Sequence, residues 1–395
     1  MAFHGTDFYG LDDLLTDEER LTRATVRAFV DAEVLPIIGR HFRAGVFPRA
    51  LIPKLAGLGV LGASLHGYGC AGMGPVAYGL VMQELERGDS GVRSFASVQS
   101  SLVMWPIVTF GSPAQKERWL PRLARGEAVG CFGLSEPDFG SNPAGMRTTA
   151  RRAGDGWVLN GTKRWITSGS IADVALVWAR VPEEDGGEGA AAIGGFLVER
   201  GAPGFTAPEI AGKLSLRASV TSELILEDVA VPAAARLPGA TSLAAPLKTL
   251  TEARYGIAWG AIGAAMACYE EALGYAKDRV QFARPIAGYQ LTQAKLVDML
   301  QEITKAQLLS WRLGGLKAAG RLRPAQVSLA KRNNVRAALV IARTAREILG
   351  ANGIIDDYQC GRHMMNLESV YTYEGTHDIH TLVVGQEITG LAAFE

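Results

Sequence analysis

The apolar residues of this chain change their period twice, and that double change excludes any architecture built from one repeated element. Up to about residue 128 the spacing is helical. From Val76 to Arg87 apolar positions recur at three and four residues, which sets them on one helix face. Thr16, with Glu19 three positions on, has the form of a capping box at a helix start. Between about 129 and 240 the pattern becomes β-rich, in Val174 to Trp178, Gly195 to Val198 and Leu224 to Val231. Trp157-Val158-Leu159, Asn160-Gly161 and Lys163 to Thr167 read as a hairpin about a tight Asn-Gly turn. The acidic, glycine-rich stretch Pro182 to Gly189 reads as an exposed loop. From about 241 helices return and lengthen. Leu296, Leu300, Ile303, Ala306, Leu309, Leu313 and Leu316 step by three or four, as do Val335, Leu339, Ala342, Ala345 and Leu349, before Gly350 and Gly353 stop the pattern. Tyr255 to Cys268, rich in Gly and Ala, reads as a buried helix closely approached by its neighbours. The expectation is an α+β chain of three domains: α-helical at 1–128, β at 129–240 and a helical bundle at 241–395.

Composition narrows the function. Lys+Arg 40 balances Asp+Glu 40 with no like-charge run of five, so a nucleic-acid partner is not expected. The longest apolar stretch, Tyr255 to Tyr269, is shorter than the roughly 20 residues of a membrane span. Cys70, Cys131, Cys268 and Cys360 lie far apart with no CxxC, which reads as a reducing compartment without disulfides or a zinc site. With an acidic N-terminus and no signal-like segment, a cytoplasmic protein is expected. Gly57-Leu58-Gly59-Val60-Leu61-Gly62 has the dinucleotide pattern, yet helix-like Leu51 to Ala56 precedes it where a strand is required. Helix-end glycines account for it. His377 and His380, beside Glu374 and Asp378, lack a supporting Cys or His spacing, so no metal is expected. No GxSxG offers a hydrolase nucleophile.

Two polar constellations remain. Cys131 to Pro137, followed by Gly140-Ser141-Asn142-Pro143 and by Trp165-Ile166-Thr167, offers hydroxyls and backbone groups walled by aromatic residues. It suits either a flat heteroaromatic ring or an ordinary β core with turns. Tyr373-Glu374-Gly375-Thr376 suits a desolvated general base or an acid at a helix N-terminus.

Phe132-Gly133-Leu134-Ser135-Glu136-Pro137, Trp165-Ile166-Thr167, Asp278-Arg279-Val280-Gln281-Phe282 and Tyr373-Glu374-Gly375-Thr376, in this order, resemble the signature of the acyl-CoA dehydrogenase family. Within it, Glu84 to Ser94 with Ser97 to Met104, Arg254 to Gly260 and Glu374 to His380 resemble the glutaryl-CoA dehydrogenase branch. The resemblance implies a helical N-terminal domain, a β-barrel-like middle domain and a C-terminal four-helix bundle, assembled as a homotetramer that binds FAD. It implies that Phe132, Leu134, Ser135, Trp165, Ile166 and Thr167 border the flavin ring. Ser141 belongs to both the cofactor and the acyl-CoA side. Arg279, Phe282 and Gln290 would reach FAD of a neighbouring subunit, and Glu347, Gly350, Thr376 and Phe394 match further cofactor contacts. Arg93, Ser94, Arg254 and Gly375 match the acyl-CoA side.

By the same resemblance Glu374 removes the proton α to a thioester carbonyl while the β-hydride goes to the flavin. Other branches place their base just before the residue matching Arg254, and Ala253 there favours Glu374. Arg93 would hold the distal carboxylate of glutaryl-CoA, or Glu86 in its absence, and the oxidised thioester would lose carbon dioxide to give crotonyl-CoA. Val92, Trp105, Ser168 to Ser170 and Tyr371 depart from the branch pattern, and Trp105 and Tyr371 add aromatic bulk. The alternative is therefore another carboxylated, cyclic or aromatic acyl-CoA. Oxygen, used by an oxidase or monooxygenase in secondary metabolism, stands as the alternative acceptor to an electron-transfer flavoprotein.

Overall fold

The structure, a computed structural model, describes residues 5–182 and 192–393. The loop expected from Pro182 to Gly189 falls, beyond its first residue, outside the described residues, as does Phe394. The first part is helical: α1 (Asp17–Phe29), α2 (Leu35–Ala44), α3 (Leu51–Gly57), α4 (Pro75–Gly88), α5 (Ser90–Ser97), α6 (Trp105–Phe110) and α7 (Pro113–Ala124). Thr16 and Glu19 do close a capping box on α1, and Ser112 with Gln115 does the same for α7. Every residue of α4 after Pro75 is buried, so α4 is a central helix. The Gly57 to Gly62 glycines end α3 and turn the chain, with Gly59 and Gly62 at positive φ.

The middle part is a curled sheet of β1 (Gly130–Gly133), β2 (Thr149–Ala153), β3 (Gly156–Thr167), β4 (Val174–Arg180), β5 (Ile193–Glu199), β6 (Phe205–Thr206) and β7 (Thr221–Pro232). The path runs β1-β4-β2-β3-β7-β6, with β5 paired to β4. Here one expectation fails. Asn160-Gly161 is no turn: β3 runs through it as one strand of 12 residues, and the hairpin turn lies earlier, where Ala153 pairs with Gly156. Gly161 instead marks a break in register against β7. A Cβ there would lie 2.4 Å from Thr148 Oγ1, so glycine serves close approach. Asn160 spends its amide on Asp228 across the sheet, donating to Oδ1 and accepting from the Asp228 backbone, both at 2.9 Å. The side chain that the turn reading needed is already bonded.

The last part holds α8 (Ala244–Asp278), the two-residue strands β8 (Val280–Gln281) and β9 (Arg284–Pro285), then α9 (Gln290–Ala318), α10 (Pro324–Ile348), α11 (Cys360–Thr372) and α12 (His377–Thr389). α8 lies between α4 and α10, and its glycines are contact points as expected. A Cβ on Gly263 would sit 1.8 Å from the Gln83 carbonyl, and one on Gly260 would sit 2.0 Å from Glu86 Oε2. α9 and α10 bury the faces that their spacing marked, including Leu296, Ile303, Leu313, Val335 and Ala342.

Buried polar groups join the three parts. Asp89 caps α5 through Gly91 N at 2.7 Å. Its other oxygen accepts from Arg362 at 2.6 Å and Asn366 at 2.9 Å on α11. Asn366 in turn accepts from Leu216 N, in the β part, at 2.8 Å. Gln99, two turns beyond α5's start, bonds Gly130 N at the head of β1 and the Leu123 and Ala128 carbonyls. Among the described residues no helix is long and apolar enough to cross a membrane. Cys131, Cys268 and Cys360 are buried and Cys70 is half-buried, all as free thiols.

Candidate active site

Arg93 points from α5 into the interior and is 0% exposed. Its Nε donates to Glu86 Oε2 at 2.6 Å, and Glu86 is equally buried. Nη2 bonds the Tyr373 hydroxyl, which also meets Ser94 Oγ at 3.4 Å. Nη1, although buried, has no hydrogen-bond partner. A buried guanidinium is costly unless paired, and here Glu86 pairs it from one side alone.

Glu374 lies in the turn between α11 and α12 at φ 50°, and Gly375 follows at φ +92°. The left-handed region is strained for a glutamate, and such strain gathers at functional sites. Gly375 is required twice over, since a Cβ would also lie 2.8 Å from His380 Nε2 and 3.2 Å from Arg254 Nη2. All three carbonyls of the turn are held. Arg254 Nε donates to Glu374 O at 2.7 Å, while Lys331 Nζ donates to Tyr373 O and Gly375 O, each at 2.6 Å. Glu374 Oε2 is buried with no partner. Burial pushes this carboxyl above its ordinary range, while Arg93, Lys331 and Arg254 act against that rise. Burial likewise depresses Lys331 to about 7 and His380 to about 2.

Arg93, Ser94, Arg254, Glu374 and Gly375 thus form one bonded cluster. Lys331 belongs to it, although the spacing did not single it out. It stands four residues before Val335, so it extends the apolar stripe of α10 backwards. A lysine on a buried stripe is the signal that marks it.

The β-part residues form a second group. Phe132 packs edge-on against Trp178 with ring centroids 6.1 Å apart, and Leu134 and Ile166 lie in apolar cores. All three are buried. Trp165 differs: it is 58% exposed at φ 64°, where β3 breaks register, with Arg164 stacked on its ring at 5.1 Å. Ser135 and Thr167 are half-buried beside it in sequence or pairing, since Arg164 N donates to Ser135 O at 2.8 Å. Lys163, buried below, donates to Leu134 O at 3.1 Å and Glu136 at 2.8 Å, which fixes the end of β1. Ser141 is exposed.

A third group lies on the outside of the bundle. Arg279 caps α8, and Phe282, 91% exposed at φ 49°, tips the β8–β9 hairpin. Gln290 begins α9, Glu347 pairs with Lys295 at 2.8 Å, and Gly350 is exposed at φ +59°. Among the described residues no hydrogen bond joins these to the Glu374 cluster. Thr376 caps α12 by accepting from Ile379 N at 3.2 Å. Trp105 meets Phe110 edge-on at 5.7 Å, and Tyr371 stacks on His377 at 4.6 Å. Among the described residues no group of three or more His, Cys, Asp or Glu could hold a metal ion.

Comparison with known proteins agrees with the fold. Family models for the acyl-CoA dehydrogenase N-terminal, middle and C-terminal domains match residues 16–127, 131–229 and 243–389. The crystal structure of glutaryl-CoA dehydrogenase from Mycobacterium smegmatis is similar at 56% identity and TM-score 0.96, covering 100% of both chains. A second structure of a glutaryl-CoA dehydrogenase from that organism, in complex with FADH2, is similar at 53% identity and TM-score 0.97, again covering 100% of both chains. The human mitochondrial short-chain specific acyl-CoA dehydrogenase is 36% identical over 94% of this chain and 90% of its own length.

Proposed function

We propose, from the premise that this chain belongs to the acyl-CoA dehydrogenase family, that it oxidises glutaryl-CoA and releases carbon dioxide to leave crotonyl-CoA. It is an enzyme of the acyl-CoA dehydrogenase kind with FAD as cofactor. The observation that carries the substrate is the pair of unpartnered buried atoms, Arg93 Nη1 and Glu374 Oε2. One is a charged donor and the other an acceptor. A thioester with a distal carboxylate brings the complement of both.

Glu374 takes the proton α to the carbonyl. Its own backbone N–H polarises that carbonyl as charge develops, and the bonds from Lys331 and Arg254 to the turn's carbonyls hold that N–H in place. The oxidation would be supplied by bound FAD, as acceptor of the β-hydride. The exposed, strained Trp165 and the hydroxyls of Ser135 and Thr167 form a neutral donor set that suits a flat heteroaromatic ring. Phe132, Leu134 and Ile166 contribute backbone, and Ser141 lies toward both cofactor and acyl-CoA. Arg93, with Ser94 and Tyr373 beside it, holds the distal carboxylate until it leaves as carbon dioxide. The proton held by Glu374 is then available to the carbon left behind. Arg279, Phe282, Gln290, Glu347 and Gly350 face outward, which supports a homotetramer whose subunits share the cofactor. An electron-transfer flavoprotein is the acceptor.

The test is anaerobic mixing of the FAD-loaded protein with glutaryl-CoA, butyryl-CoA and cyclic or aromatic acyl-CoAs, with products read by mass spectrometry. Crotonyl-CoA from glutaryl-CoA is expected. A five-carbon enoyl product alone would remove the decarboxylation, and inertness toward glutaryl-CoA would remove the substrate. Rapid reoxidation when air is admitted would replace the flavoprotein acceptor with oxygen.

A further inference from the structure

The base-bearing turn is held from below by a residue that nothing in the reaction itself requires. Lys331 is 1% exposed on α10, and its ammonium reaches across to the carbonyls on either side of Glu374, each at 2.6 Å. The turn it grips is the one whose backbone is left-handed at both Glu374 and Gly375. A glutamate does not keep that conformation without support, and hydrogen bonds from a charged donor are stronger than neutral ones. Burying a lysine is costly, so two short bonds to strained backbone are a specific use of the group.

We propose that Lys331 is a positioning residue for Glu374, gripping the Tyr373–Gly375 turn so that the carboxylate keeps a single aim at the substrate. The proposal rests on Glu374 being the base. Lys331 also acts through its field. It faces Glu374 and Tyr373 from the turn, Arg93 from α5, Arg254 from α8, and His377 and His380 from α12. Among these it is one of three cations that oppose protonation of Glu374, so its loss displaces the base toward the protonated form. The two bonds survive titration of the lysine, since a neutral amine still has a hydrogen for each carbonyl.

Two variants separate grip from charge. Lys331→Met keeps the bulk and loses both, whereas Lys331→Gln keeps amide hydrogens and loses the charge. In the FAD-loaded full chain, Lys331→Met is expected to lower kcat by about tenfold or more with KM within about threefold. The acid limb of kcat/KM should move up by on the order of one pH unit. Lys331→Gln should recover part of kcat and keep the displaced limb. Wild-type kcat and an unmoved limb in Lys331→Met would overturn the proposal. So would a kcat loss in both variants with the limb in place, which is what mere packing damage produces. Should Lys331→Met fail to fold, the limb position in Lys331→Gln decides. Failure of the base assignment reads out separately, as turnover surviving in Glu374→Gln.

Discussion

Glu374 and Arg93 are each named by the residues around them, but their environments are tertiary. Glu374→Gln should retain the yellow colour of bound FAD and lose on the order of 10²–10⁴-fold in turnover, the usual share of a general base. Because the carboxyl must be ionised to act, and burial holds its proton affinity above the ordinary range, kcat/KM should fall as pH drops. The midpoint should lie above the value of about 4.3 for an exposed glutamate, and a pH profile against a slow substrate checks it. For Arg93, a single change strands Glu86 as an unpaired buried charge, which costs several kcal/mol of stability on its own (about 3–5). The cleaner experiment removes the pair, as Glu86→Gln with Arg93→Met. Loss of a charged hydrogen bond worth about 1.5–3 kcal/mol predicts at least a tenfold drop in the glutaryl-CoA to butyryl-CoA ratio of kcat/KM. An unchanged ratio removes Arg93 from substrate selection. Both residues were legible through resemblance alone, since their local spacing suited helix acids and helix arginines equally. Lys331 was less visible because its two acceptors lie more than 40 residues away in the chain.

At the scale of elements, periodicity told helix from strand, and the one error came at an Asn-Gly pair. Asn160-Gly161 carries the strongest short hairpin signal there is, yet contact between Gly161 and Thr148, and between Asn160 and Asp228, is decided by strands distant in sequence. The α8 glycines were read correctly because several fall together in a long apolar run. Gly263→Ala weighs two effects of opposite sign. Alanine gains about 1 kcal/mol of helix propensity, whereas overpacking typically costs about 1–3 kcal/mol. With the new carbon 1.8 Å from backbone on α4, the second wins, and a lowered Tm by circular dichroism is the expected outcome. A raised Tm would mean that α4 and α8 part easily.

For the whole molecule, the outward-facing group of Arg279, Phe282, Gln290, Glu347 and Gly350 is the one proposed to hold a neighbouring subunit's cofactor. Val280, Phe282, Leu291 and Val297, on the β8–β9 hairpin and the first turns of α9, expose apolar side chains, and exposed apolar surface, where it is contiguous, marks association sites. Sedimentation should therefore find four copies together, and Phe282→Ser should lower FAD content on dilution more than at high concentration. Full FAD content in a monomer would contradict the shared site. Asp89, buried at the junction of α4 and α5, has a different consequence. Through Arg362, Asn366 and Leu216 it couples segments from all three parts of the chain in one chain of direct bonds. Separating α11 from α5 strands the Asp89 charge, and separating the β part leaves the Asn366 amide oxygen without its donor, so partial melting is penalised at both junctions. Calorimetry should register a single cooperative transition, and protease digestion under native conditions should release no stable sheet fragment.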